Sequence, residues 1–174
     1  MHPLDKFKYC PICGSHHFAV SGASSKKCDN CGFEFFMNPS ASNVAIIRNA
    51  KGEILVERRK MEPAKGTLDL PGGFAQIGET SEEGLQREVL EETGLRVTSA
   101  RYLFSLPNVY RYSNINIHTL DMFYECQVAD ESVLTANDDA AECFWVAPDD
   151  IHTEQFGLRS VRWGLIKFLE NAEK

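Results

Sequence analysis

The 174-residue sequence contains no run of about 18 apolar residues, which a membrane-spanning helix would require. Its first residues, Met-His-Pro-Leu-Asp-Lys, lack the apolar core of a secretion signal. A cytoplasmic location without a membrane partner is therefore expected. A surplus of positive charge is also missing: 18 Lys and Arg stand against 25 Asp and Glu, for a formal net charge of -7. That balance argues against a protein whose main work is gripping duplex nucleic acid by its phosphates. An anionic substrate must then be held locally, by metal and a few Arg or Lys. Repeats and low-complexity tracts are absent too. With 43% hydrophobic and 25% charged residues, the chain has the composition of one well-cored domain plus a small module, without long disorder.

Of the six cysteines, four come as Cys10-Pro-Ile-Cys13 and Cys28-Asp-Asn-Cys31. Two C-x2-C knuckles, 14 residues apart and each followed by glycine, have the spacing of a four-cysteine zinc ribbon. Such a Zn²⁺ would be structural, with every position filled by protein. His16 and His17 are alternative ligands, although exposed turn histidines are the simpler reading. Cys126 and Cys143 lie in apolar runs and read as buried, inert thiols. The ribbon is assigned to residues 1–38, with short strands around Phe7–Tyr9, Phe18–Val20 and Phe33–Phe36. So few residues bury little core, and folding should depend on metal. Lys6, Lys8, Lys26 and Lys27 are nearly balanced by Asp5, Asp29 and Glu34, so no basic stripe for nucleic acid is present.

The most informative stretch runs from Gly73 to Leu95, where a glycine-bearing loop leads into an acidic helix. Thr80 and Glu83 form a capping box, and Gly94 sits where a left-handed cap is needed, which predicts a helix over 81–93. At about 100° per residue, Glu88, Glu91 and Glu92 share one face beside the apolar stripe of Leu85 and Val89. Carboxylates so placed repel unless a cation binds among them. Hard oxygen ligands suit Mg²⁺ or Mn²⁺, which also accept phosphate oxygens. Arg87 lies a turn from Glu83 and Glu91 and can orient a carboxylate; Glu79 is near enough to join it. Gly84 is expected to leave the acidic face open, and the Gly72 carbonyl is a further candidate metal ligand. A charge run alone would more often be a solvated helix face.

Asn38–Ser42 reads as the boundary before a second domain over 42–174. Strands are expected at Val44–Ile47, Glu53–Glu57, Arg96–Leu106, Ile115–Val128 and Glu142–Val146, with a turn at Asn49–Gly52. A loop over Pro107–Asn114 carries Tyr110 and Tyr112, candidates for stacking on the substrate beyond its diphosphate; packing of these rings on the hairpin surface is an equal alternative. Arg58 is a third candidate substrate contact. A terminal helix fits Leu158–Leu169. The elements suggest a mixed β-sheet flanked by helices, an α/β (α+β) fold.

The spacing G-x5-E-x7-R-E-U-x-E-E-x-G-U, with U apolar, is met by Gly73, Glu79, Arg87, Glu88, Val89, Glu91, Glu92, Gly94 and Leu95. In this the chain resembles the Nudix hydrolases, over roughly residues 42–172. The resemblance implies an α/β/α sandwich with a mixed sheet, preceded here by the zinc ribbon. It implies hydrolysis of a nucleoside diphosphate linked to another moiety, with Mg²⁺ or Mn²⁺. Glu88 and Glu92 would be metal ligands, Glu91 a further ligand or water-orienting group, and Arg87 with Glu79 would position the acids. Asp138, Asp139 and Glu142 join Glu91 as candidate general bases. A ribbon before a Nudix domain is similar to the NADH pyrophosphatase arrangement, which favours ADP-ribose or an NAD(H)-type dinucleotide as substrate. The signature Ser-Gln-Pro-Trp-Pro-Phe-Pro of that branch is replaced by Ser105-Leu-Pro-Asn-Val-Tyr-Arg-Tyr112. A nucleoside triphosphate pyrophosphohydrolase and a nucleotide-sensing binding protein are the alternatives. The resemblance also implies a homodimer.

Overall fold

The structure is a computed structural model that describes residues 2–172, apart from the side chains of Tyr110 and Ala172. An N-terminal antiparallel sheet is formed by β1 (Phe18–Gly22), β2 (Ser25–Cys28) and β3 (Glu34–Phe36). Phe7–Tyr9, expected as a strand, lies in a turn-rich segment whose Phe7 carbonyl accepts a hydrogen bond from Lys26 Nζ at 2.8 Å. The missing strand is β2, which the cysteine knuckle at its end obscured. Cys10, Phe18 and Cys28 form a small core of their own.

Ser40 already belongs to β4 (Ser40–Ile47), so the expected boundary at 38–42 is half strand. β4 pairs in parallel with β9 (Ile115–Val128) and antiparallel with β7 (Gly72–Phe74); β9 pairs antiparallel with the edge strand β8 (Val97–Tyr112). A three-stranded antiparallel sheet joins β10 (Ala140–Val146), β5 (Ile54–Arg59) and β6 (Leu68–Asp69). The mixed sheet is thus accompanied by a second, smaller one. The segment expected as a loop at 107–114 is strand as far as Tyr112, closed by Ser113 and Asn114 with φ of 48° and 62°. Pro107 is tolerated because an edge strand has one side without ladder bonds.

The central strand explains the layers. Val44 and Ile46 point one way into a core with Ile54, Val56, Phe123 and the helix α2 (Arg159–Ala172), through Val161, Leu165 and Phe168. Ala45 and Ile47 point the other way, onto Leu85 and Val89 of α1 (Ser81–Thr93). An apolar run buried on both faces is what a central strand between two helices demands. Each of the larger side chains contributes about 1.5–3 kcal/mol, and Ala45 less. Gly164 lets α2 approach β9 closely, since a Cβ there would lie 2.2 Å from the Phe123 ring.

Candidate functional site

The acidic helix α1 starts and stops as its local sequence requires. Thr80 Oγ1 accepts from the Glu83 amide at 3.2 Å, and Glu83 Oε2 accepts from the Thr80 amide at 2.8 Å. Gly94 caps the other end with φ 72°, its amide donating to the Leu90 carbonyl. Buried Gly84 faces β4 and the loop before the helix: a Cβ there would meet Asn43 Nδ2 at 2.9 Å and Ala75 Cα at 3.2 Å. Its role is close packing of helix on loop, in place of the open acidic face expected for it.

Arg87 organises the exposed half of the acidic face. Its Nε and Nη2 donate to Glu79 Oε1 and Oε2 at 2.7 and 3.0 Å, and Nη2 also reaches the Phe74 carbonyl at 2.9 Å. Nη1 donates to Glu88 Oε1 at 2.7 Å and to Glu91 Oε2 at 3.0 Å. Glu83, occupied in the cap, takes no part among these bonds. Arg87, with the Gln76 amide, holds the Glu79 carboxyl down at about 2. A bidentate, charge-assisted pair of this kind fixes both partners.

The buried half is different. Glu92 is 5% exposed and accepts from the Gly72 amide at 2.9 Å. Beside it lies Glu57 on β5, 3% exposed, with Oε2 unpartnered. Glu57 faces Asp69 across the β5–β6 ladder and Cys143 across β5–β10. Burial, then Asp69, pushes the Glu57 carboxyl up to about 8. Burial and Glu57 push Glu92 well up; burial raises Asp69 despite its ion pair with Arg59, and raises Glu88 despite Arg87. Buried carboxyls side by side favour the protonated form because like charges have little water to screen them.

Glu57, Asp69, Glu88 and Glu92 line one cavity of about 680 Å³, together with Gly72, Gly73, Arg59 and Asp139. Gly73 gives the Glu88 carboxyl its place, since a Cβ there would sit 2.6 Å from it. These carboxylates are hard oxygen donors of the kind a divalent cation takes, although no three of them bring their oxygens within 4.8 Å of one another. Of the other expected residues, Tyr112 lines the cavity. Glu91 is at the rim on Arg87. Arg58 points to the opposite face of β5, bonded to Glu142 Oε2 at 3.0 Å and the Gly66 carbonyl at 3.0 Å. Arg59 is the cavity-lining arginine instead, because strand neighbours alternate faces. Among the candidate bases only Asp139 lines the cavity; the Asp138 carbonyl accepts from Lys60 Nζ. Tyr110's side chain lies outside the described residues. Glu57 ends an expected apolar strand and Asp69 lies in the lead-in to the helix, so neither carries a motif, although a lone acid among buried apolar residues is itself a signal.

At the N-terminus, Cys10, Cys13, Cys28 and Cys31 hold their sulfurs within 4.8 Å of one another. This is the only such cluster of His, Cys, Asp and Glu among the described residues. Hydrogen bonds from Ser15 and Asn30 pull the Cys13 thiol down to about 6, while, against the Phe33 amide, burial and the neighbouring thiols push Cys31 up to about 12, so the four share their protons unevenly. The His16 and His17 rings lie against each other at a tilt of 36°, centroids 4.2 Å apart.

A capped helix carrying buried and Arg-clamped glutamates, set against a mixed sheet between two helices, defines a Nudix-type carboxylate site. The model of the NUDIX domain matches residues 37–168, and the chain belongs to this family. It is 31% identical over 107 residues to an NAD-capped RNA hydrolase NudC of Haemophilus influenzae, covering 61% of this chain and 40% of that protein. It is 40% identical over 85 residues to an ADP-ribose pyrophosphatase of Methanocaldococcus jannaschii, covering 48% of this chain and 50% of that one. The chain thus spans about half or less of the length of these relatives. Among solved structures, a NUDIX hydrolase from Nitrosomonas europaea has the same fold, with a TM-score of 0.75 at 23% identity, over 95% of this chain and 92% of that one. The NUDIX domain of Shewanella oneidensis NrtR, complexed with ADP ribose, gives 0.63 at 18% identity, over 80% and 91%.

Proposed function

We propose that this chain hydrolyses the diphosphate bond of a nucleoside diphosphate linked to another moiety, with ADP-ribose or an NAD(H)-type dinucleotide as substrate. The observation that carries this reading is the buried Glu57–Glu92 pair beside Glu88 in one cavity, with an unpartnered oxygen and raised carboxyls. Similarity to proteins named for ADP-ribose and NAD-capped RNA adds support.

Glu88, Glu92 and Glu57 would hold Mg²⁺ or Mn²⁺, with the Gly72 carbonyl as a further oxygen; the ion would neutralise the diphosphate and lower the pKa of water. The Gly72 amide orients Glu92. Arg87, locked on Glu79, holds Glu88 in place and keeps Glu91 at the rim. Asp139, of the candidate bases the one that lines the cavity, takes the proton from the attacking water. Tyr112 offers a ring at the cavity wall for the group beyond the diphosphate. The four cysteines of residues 1–38 would bind a structural Zn²⁺ as a ribbon preceding the hydrolase domain of 42–174.

The test is a Mg²⁺ and Mn²⁺ hydrolysis screen of ADP-ribose, NADH, dinucleoside polyphosphates, nucleotide sugars and nucleoside triphosphates, with products identified by mass. AMP plus a second phosphate ester supports the proposal. A nucleoside monophosphate with pyrophosphate, from triphosphates alone, would replace it with a pool-cleaning role; tight binding without turnover would replace it with a sensor.

A further inference from the structure

The cavity has a second polar wall that the hydrolytic reading does not use. On β9, Thr119 and Asp121 alternate onto the same face as Phe123, and Asn108 lies opposite Thr119 on β8. All three line the cavity, and all are buried, at 6%, 3% and 3% exposure for Asn108, Thr119 and Asp121. Ser160, in the first turn of α2, donates to Asp121 Oδ2. Asp121 Oδ1 and Thr119 Oγ1 have no partner. Neighbouring walls are apolar: Val44, Ile117, Leu158 and Val161.

A buried carboxylate oxygen and a buried hydroxyl without partners each cost stability, so their retention on a cavity wall calls for a ligand that completes them. Ser160 fixes the carboxylate so that one oxygen is occupied and the other is left unpaired for a donor. Thr119 can turn its proton toward an acceptor beside that donor. The aliphatic side chains that also line the cavity offer a ring apolar contact. We infer that Asp121 and Thr119 read the edge of a nucleobase that carries an exocyclic amine beside an unprotonated ring nitrogen, as in adenine or cytosine. The amine donates to Asp121 Oδ1, and the ring nitrogen accepts from Thr119. A 6-oxo purine sets its oxygen against the Asp121 carboxylate oxygen, two acceptors with no proton between them, and is rejected.

This specificity site deepens the hydrolase reading and rests on the same cavity, but it is tested by binding alone. Calorimetric titration of the intact protein with AMP and IMP, and with CMP and UMP, should show the amino member of a pair bound at least about tenfold more tightly. Asp121→Asn, whose amide can keep Ser160 on its oxygen and turn its nitrogen inward, should erase or invert the preference. Thr119→Val should weaken AMP while leaving IMP less affected, and serves if Asp121→Asn loses its thermal transition. Equal affinity of wild-type protein for AMP and IMP, or binding of neither, overturns the inference. So does a preference that survives in both variants, or one that tracks the ribose hydroxyls in 2′- and 3′-deoxy AMP. Base discrimination without hydrolysis of any diphosphate would leave this site standing and remove the proposed function. Hydrolysis indifferent to the base would do the reverse.

Discussion

Glu92 accepts the Gly72 amide while packed beside Glu57, so replacing one charge here changes chemistry more than shape. Glu92→Gln keeps the acceptor and removes like-charge repulsion. Its hydrolysis should fall by on the order of 10²-fold or more with the thermal transition retained; near-normal turnover would mean that the carboxylates are not the metal site. The raised Glu57 carboxyl also sets a pH dependence. Between its ordinary value of 4.5 and about 8, the folded chain keeps a proton that the unfolded chain has released, so the metal-free protein loses stability as pH rises through that window. A divalent ion held at the proposed site would replace that proton. Mg²⁺ should therefore raise the melting temperature more at about pH 8 than at about pH 5.5, and an equal gain at both would contradict the assignment. At this scale the sequence was readable where signals are local: Arg87, Glu88 and Glu92 follow from helical spacing. Glu57, Asp69 and Asp121 meet them only through strand pairing, which no local pattern encodes.

Among the elements, α1 is held by its cap and by close approach to the β7 loop. Thr80→Ala removes the capping bond to the Glu83 amide and should cost ~1 kcal/mol in urea unfolding. Gly72→Ala is more severe, because φ is 148° and the new Cβ would lie 2.0 Å from the Asn43 carbonyl oxygen. Strain of that kind costs roughly 1–3 kcal/mol or more, and here it also shifts the amide that holds Glu92. An unchanged unfolding midpoint would refute the close approach. α1 was legible because its cap box, apolar stripe and terminal glycine agree. β8 was not legible past Leu106, because proline and a polar, aromatic run look like a loop until the strand is known to lie at a sheet edge. β2 was hidden by its shortness, by Lys26 and Lys27, and by the knuckle cysteine that ends it.

For the whole molecule, the account joins a cysteine-rich sheet with its own small core to a sandwich whose cavity carries acids at one wall and Asp121 at another. Chelation of Zn²⁺ should unfold the first and leave the core between α1 and α2 intact. Two-step thermal unfolding that becomes one-step in chelator would show this; a single transition in both conditions would mean the two parts stand or fall together. The most direct test of the central claim is turnover of ADP-ribose by the wild-type protein and Glu92→Gln, with Mg²⁺ and with chelator, and products identified by mass. The account predicts AMP and ribose 5-phosphate from the wild type with Mg²⁺ alone. Equal turnover in the variant, or in chelator, would contradict it.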